Sequence, residues 1–244
     1  MFSFVLRHPL KLNATAPVVF IQYLAALAVA EGIKTYDQQD SSMGGRRGRY
    51  RDVPIKLKWP NDIYVLDPSK SGADPSDRNS YTKVGGILVN SSYSGGDYTL
   101  VVGIGLNVTN AAPTTSFNAV LDAHNISTST TSRTKSPLPP FTVEKLLARI
   151  LSQFSNLYTT FCRSGFGGEL ENLYYSHWLH TDQVVTLETD GDARARLIGI
   201  TSDWGLLRAE EVTGQAERGT GRYFALQTDS NSFDFFKGLI KRKL

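Results

Sequence analysis

The stretch "KVGGILVNSSYSGGDYTLVVGIGLNV", residues 83–108, constrains this chain more than any other. Two apolar runs, residues 84–89 and 98–106, flank the polar "NSSYSGGD", a pattern that predicts an antiparallel hairpin. Both runs are apolar on both faces, so the pair is expected at the centre of a sheet. Glycine weakens a strand interior and makes more sense where something packs close to the backbone. Gly85 and Gly86 in the first run, and Gly103 and Gly105 in the second, therefore mark places a ligand can approach. A lone G-x-G also arises from bulges. No G-x-G-x-x-G opens a helix, so this is not a dinucleotide-binding fingerprint.

Around the hairpin the chain reads as α+β. "MFSFVLRHP" alternates Phe2, Phe4 and Leu6 with Ser3, Val5 and Arg7, as a strand does. Residues 15–33 read as a helix with Pro17 in its first turn and Gly32 at its end, apolar most of the way round and hence buried. "IKLKW" and "IYVL" read as strands joined by a "PND" turn. Thr142 is placed to cap a helix whose stripe is Val143, Leu147, Ile150, Phe154, Leu157 and Phe161. A short helix follows at "ELENLYYSHWL". From about Thr181 short strands separated by turns suggest a small barrel. Residues 109–140 are low in apolar residues, and "STSTTSRTKSPLPP" is expected to be disordered at its centre.

Composition excludes more than it assigns. A net charge of +3 is too small to argue for nucleic acid, and the single cysteine, Cys162, excludes an internal disulfide. Cys162 itself is expected in the core of its helix. The longest apolar run is too short to span a bilayer. The expectation is a soluble cytoplasmic protein with neither nucleic-acid nor membrane partners. His177 and His180 lie three apart, but nothing else ligand-like is near, so no metal site is expected there.

Three places have residue types suited to chemistry. The turn in "KWPND" presents Asn61 and Asp62, an amide for a polar ligand edge and a carboxylate for a Mg²⁺ or a donor. Lys83 stands at the head of its strand, where a fixed cation can neutralise a carboxylate and a phosphate as they meet. Asn107 follows "GIGL", where it can bond a ligand lying on the glycines. The run "MGGRRGRYRD", with Arg46, Arg47, Arg49 and Arg51, looks at first like a phosphate cradle. Its composition equally fits a solvated loop.

Taken in order, "KLKWPNDIYV", "KVGGILVN" and "YTLVVGIGLNV" followed by "NAAPTTSFN" resemble the catalytic domain of biotin protein ligases, also called holocarboxylase synthetases. "HWLHTDQVV", "GITSDWGLLRAEE" and "TDSNSFDFFKGLI" resemble the small C-terminal domain of the eukaryotic form. The resemblance implies a mixed β-sheet packed with helices at residues 1–180, with insertions near 37–52, 67–82 and 123–140. An SH3-like β-barrel is implied at residues 181–244. It also implies a two-step reaction: ATP and Mg²⁺ activate biotin as biotinyl-5′-AMP, then a lysine of a carboxylase's biotin carboxyl carrier domain takes the biotin. By motif position Lys83 is the catalytic lysine, biotin lies at Lys83, Gly86, Gly103 and Gly105, the adenylate at Asn61, Asp62 and Asn107, and a Mg²⁺ at Asp62. A lipoate ligase or transferase of the same superfamily, or a carrier-binding module without chemistry, remain the alternatives.

The family's arginine- and glycine-rich adenylate loop, of the form GRGRxGR, precedes the first strand, whereas the run here follows the first helix. It is therefore expected to be a solvated inserted loop. The family's Ser/Thr biotin strand has no counterpart in the sequence. The chain is accordingly expected to be an N-terminally truncated fragment with impaired activity, exposing apolar surface at Phe2, Phe4 and the first helix.

Overall fold

The structure is a computed structural model. It describes residues 1–38, 48–67, 69–70, 72–112, 114–131, 136–227, 231–234 and 237–242. Arg46 and Arg47 of the arginine run and residues 132–135 of the Ser/Thr/Pro-rich segment lie outside these. The chain divides into two compact units, Met1–Leu57 with Asn61–His177, and Lys58–Pro60 with Trp178–Leu244.

The first unit is built on a five-stranded sheet in the order β1-β5-β4-β3-β2. The strands are β1 (Phe2–Pro9), β2 (Ile55–Lys58), β3 (Asp62–Leu66), β4 (Tyr81–Ser94) and β5 (Asp97–Leu106). The central hairpin is longer than its apolar runs suggest. Pairing continues to Ser94↔Asp97, so "NSSYS" is strand and only Gly95 and Gly96, both at positive φ, make the turn. On one face Phe2, Phe4 and Leu6 stand opposite Ile104, Val102 and Leu100.

Helix α1 (Ile21–Lys34) packs beneath that face and against helix α3 (Val143–Ser164). Gly32 lies inside α1 rather than ending it. A Cβ there would stand 2.9 Å from Ile150 Cγ1 and 3.1 Å from the Ile150 backbone, so the close approach of α1 and α3 requires glycine. Leu24, Leu27 and Val29 of α1 are fully buried and the Phe4 ring meets Phe154 at 4.8 Å. The expectation that α1 would be exposed is thus wrong. On the opposite face of the sheet apolar side chains are exposed, at Val5 (65 %), Leu88 (63 %) and Val101 (43 %). Apolar residues on both faces of the hairpin do not mean burial on both faces.

Helix α2 (Phe117–Thr131) runs into the Ser/Thr-rich stretch, whose centre, expected to be disordered, lies outside the described residues. Its first turns are anchored by Phe117, Val120 and Leu121, all buried, which outweighs the low helix propensity of the Ser and Thr that follow. In α3, Leu146, Ile150, Phe154 and Phe161 are buried, whereas Val143 is exposed and Cys162 only half-buried. Thr142 holds the N-cap position without capping the helix: its N–H donates to Tyr36 Oη at 2.8 Å. Helix α4 (Glu169–Ser176) closes the unit, and the buried His177 meets Glu31 at 2.8 Å.

The second unit is a six-stranded sheet in the order β10-β11-β6-β7-β8-β9. Its strands are β6 (Val184–Leu187), β7 (Ala193–Ile200), β8 (Leu207–Thr213), β9 (Arg218–Leu226), β10 (Asn231–Asp234) and β11 (Leu239–Arg242). Trp59 is buried in this unit, its N–H donating to His180 Nε2 at 3.0 Å and its indole to the Gly205 carbonyl at 3.1 Å. Because His180 Nε2 accepts, its proton sits on Nδ1 and is donated to Gln183 Oε1 at 2.9 Å. Among the described residues no helix is long and apolar enough to cross a membrane.

Candidate functional site

The ends of β3, β4 and β5 gather most of the residues singled out in the sequence. Asp62 stands opposite Gly86, and Gly86 opposite Gly105. One step along the same face, Leu88 stands opposite Gly103 and Gly103 opposite Ser3. Cross-strand partners project to one side of a sheet, so Gly86, Gly103 and Gly105 lie on one face. It is the face on which Leu88, Val101 and Val5 are exposed.

Strict alternation would place Lys83, three residues before Gly86, on the opposite face. A β-bulge reverses this. Ile63 pairs with Gly85 and Tyr64 with Lys83, leaving Val84 as the extra residue on β4. Val84 and Ile87 are both buried, three apart, which records the same change of parity. Lys83 is thereby delivered to the glycine face, where Nζ pairs with Asp62 Oδ1 at 2.6 Å. Half of the Lys83 side chain remains exposed, against 18 % for Asp62.

The glycines differ in what the fold asks of them. A Cβ on Gly85 would stand 2.5 Å from the Gly105 carbonyl oxygen and 2.6 Å from Leu106 Cδ2, so packing alone demands glycine there. A Cβ on Gly86 would meet Asp62 Oδ1 at 3.5 Å, on Gly103 the Leu88 oxygen at 3.6 Å, and on Gly105 the Gly86 oxygen at 4.0 Å. These are ordinary contacts. The fold does not need glycine at these three positions, yet all three leave the main chain bare on the face that Lys83 joins. That is the pattern expected where a ligand lies flat on a sheet.

The asparagines are partly committed to the scaffold. Asn61 Nδ2 donates to the Ile87 carbonyl at 2.6 Å, and its own carbonyl accepts the Ile87 N–H at 2.9 Å, so Asn61 fixes the turn that carries Asp62. Asn107 donates its N–H to the Val84 carbonyl at 2.8 Å, tying the end of β5 to the bulge. Its amide reaches Thr115 O at 3.4 Å and Thr114 Oγ1 at 3.5 Å, and Thr114 Oγ1 donates to the Lys83 carbonyl at 3.3 Å. Thr114 was not singled out in the sequence. Its one signal is a place in "NAAPTTSFN", just after "GIGLN".

A cage for Mg²⁺ is not built from these side chains alone. Among the described residues no group of three His, Cys, Asp or Glu could hold a metal ion, and the Asp62 carboxylate is already ion-paired. The described part of the arginine run is not the free loop expected. The Arg49 N–H donates to both carboxylate oxygens of Asp37, at 3.0 and 3.2 Å, and Tyr50 is buried against Tyr36 and Phe141.

Comparison with known proteins points one way. Residues 1–107 match the family described as "Biotin/lipoate A/B protein ligase family". The chain is 38 % identical over 243 residues to a biotin–protein ligase of Schizosaccharomyces pombe, covering 99 % of this chain and 35 % of that one. It is 34 % identical over 253 residues to biotin–protein ligase 2 of Arabidopsis thaliana, covering 100 % of this chain and 62 % of the relative. The chain thus spans between about a third and two thirds of the length of these relatives. Among solved structures, the apo biotin protein ligase of Aquifex aeolicus superposes with a TM-score of 0.54, at 14 % identity, over 99 % of this chain and 82 % of that one. At that identity the likeness concerns the fold.

Proposed function

We propose, from the match of residues 1–107 to the biotin/lipoate A/B protein ligase family, that the chain is an ATP-dependent biotin–protein ligase. Its substrates are ATP, biotin and the lysine of a carboxylase's biotin carboxyl carrier domain, met in the cytoplasm. The observation that carries this reading is the bulge-directed placement of Lys83 beside Asp62 on a face of bare glycines. Residues 1–180 act as the catalytic domain and residues 181–244 as an SH3-like domain.

The first step must bring two anions into bonding distance. A carboxylate oxygen of biotin attacks the α-phosphorus of ATP, a P–O bond forms as the bond to pyrophosphate breaks, and biotinyl-5′-AMP results. Lys83 offsets the repulsion: its ammonium sits at the edge of the glycine row, where the carboxylate and the α-phosphate meet. Asp62 holds that ammonium in place before the substrates arrive. Gly86, Gly103 and Gly105 let biotin lie against the main chain, and Asn61 and Asn107 fix the strand ends on the adenylate side. Mg²⁺ supplies charge neutralisation to the phosphates. It would take most of its ligands from them and at most one carboxylate, Asp62, from the protein. In the second step the carrier amine attacks the acyl carbon, loses a proton, and AMP leaves with the bonding electrons. Lys83 is then placed to stabilise the departing phosphate.

Incubation of the chain with labelled biotin, ATP and a carrier domain tests this reading. Biotin on the carrier lysine, lost in Lys83→Ala, supports it. Transfer of lipoate in place of biotin overturns it in favour of the lipoyl branch. Carrier binding without transfer of either identifies a binding module.

A further inference from the structure

Two features that the proposed reaction leaves unused meet each other in the first unit. Residues 136–141, "SPLPPF", run past α2 and past the corner at residues 49–50 of the arginine run. Asn125 brackets Leu138, Oδ1 accepting its N–H at 2.7 Å and Nδ2 donating to its carbonyl at 2.9 Å. Asn118 brackets Phe141 in the same way, at 2.8 and 3.1 Å. Tyr50 Oη donates to the Pro139 carbonyl. At the head of the segment Arg49 Nη2 donates to the carbonyls of Ser136 at 2.8 Å and Pro137 at 2.7 Å.

This strap is packed at its C-terminal end and solvent-exposed at its head. Leu138 is half-buried and Phe141 buried, whereas Ser136 and Pro137 are exposed. The Arg49 guanidinium is exposed too. Both of its side-chain bonds leave from Nη2, so among the described residues its Nε and Nη1 hydrogens have no acceptor. A guanidinium beside a serine, with hydrogens to spare, is an arrangement that can receive a phosphate.

We propose that Ser136 is a phosphorylation site for a proline-directed Ser/Thr protein kinase, and that Arg49 is the receptor of the phosphate. Ser136 supplies an exposed hydroxyl in a non-helical segment, and Pro137 follows it directly. In the reaction Ser136 Oγ attacks the γ-phosphorus of ATP bound to the kinase. The O–P bond forms as the β–γ bridging bond breaks, ADP leaves, and the hydroxyl proton passes to the kinase's catalytic carboxylate. The product carries close to two negative charges and three acceptor oxygens. They arise on the residue whose carbonyl Arg49 already holds, so a swing of the guanidinium that turns Nη2 from the carbonyls meets them with the Nη1–Nη2 edge. Asp37 is the acidic group nearest Arg49 in the hydrogen-bond pattern, and it bonds the Arg49 backbone, which leaves the side chain to the phosphate. The modification would tighten the strap onto the corner that leads through Val53 into β2.

Two arms test this on the full 244-residue chain. In the first, a purified cyclin-dependent or mitogen-activated kinase and ATP are added and the phosphate is mapped by mass spectrometry. Incorporation at Ser136, absent in Ser136→Ala, is expected; no incorporation at Ser136 overturns the site. In the second, phosphoserine is installed biosynthetically at position 136 and the phosphate is titrated by ³¹P NMR. Its second ionisation is expected at a pH lower by about half a unit in the native chain than in Arg49→Gln, with Arg49→Lys between them. Identical midpoints in all three overturn Arg49 as the receptor. A thermal melt of each variant separates loss of the contact from loss of the fold.

Discussion

Lys83 Nζ lies 2.6 Å from Asp62 Oδ1, and it does so because one extra residue, Val84, turns the strand over between Lys83 and Gly86. The ion pair is half-exposed and contributes little to stability. Its value is positional. Lys83→Ala is expected to slow biotinyl-adenylate formation about 100-fold or more, the usual cost of removing one preorganised charge from a transition state, while the melting temperature barely moves. Lys83→Arg should fall between the two. Single-turnover adenylate formation followed with labelled ATP reads the difference.

The glycines give a paired prediction. Gly85→Ala forces a Cβ to within 2.5 Å of the Gly105 oxygen and should destabilise the protein by about 1–3 kcal/mol in denaturant melts. The Cβ of Gly105→Val meets an ordinary contact only and its methyls rise on the open face, so the fold should stay within about 1 kcal/mol of the native chain. Its side chain stands on the open face, and biotin affinity by calorimetry should fall at least about tenfold, some 1.4 kcal/mol. A Gly105→Val chain with native biotin affinity would place the ligand elsewhere.

The strap should be worth measuring on its own. Asn118 supplies both a donor and an acceptor to the buried Phe141 backbone. Asn118→Ala leaves both backbone groups without their partner and is expected to cost about 1–3 kcal/mol. Asn118→Asp keeps the acceptor alone and should cost less. Equal stability of all three chains would show that water replaces the bracket.

Stability should fall with acid in two separate stages. Burial lowers the His8 imidazole below its ordinary 6.5, against a weaker upward pull from the Ala16 backbone. Below about 6.5 the unfolded chain therefore takes up a proton that the folded chain does not, so stability is complete above that pH and declines beneath it. His8→Gln should flatten this first stage. Glu31 is partly desolvated, yet the His177 ring, Lys34 and Arg51 together hold its carboxyl below the ordinary value. Asp67, likewise desolvated, is held down by Ser69, Thr82 and Lys70. Their contributions are present above about 4.5 and are lost only as pH falls further. Thermal melts from pH 7 to 3 on the native chain and His8→Gln check both stages.

Much of this was legible in the sequence because local and tertiary preferences agree. The hairpin, β1 and the strand–turn–strand around "KWPND" follow from alternation and turn residues. What alternation could not give was the face on which Lys83 stands, since a bulge is set by pairing with β3. The doublet Gly85–Gly86 was its only trace. Gly32 read as a helix end because glycine's local preference is visible and the approach of Ile150 is not. The Ser- and Thr-rich end of α2 has little helix propensity of its own, and the buried Phe117, Val120 and Leu121 that anchor the helix lie upstream of it. The arginine run read as solvated because Tyr50 finds its cover in residues 36 and 141, far away in sequence.

The central claim, that the Lys83 face is an adenylate-forming biotin site, is tested most directly by calorimetric binding of a non-hydrolysable biotinyl-adenylate mimic. The account predicts one bound mimic per chain, with affinity reduced at least about tenfold in both Lys83→Ala and Gly105→Val and unchanged in Ser136→Ala. A mimic that binds all four chains equally, or that the native chain does not bind, would contradict it.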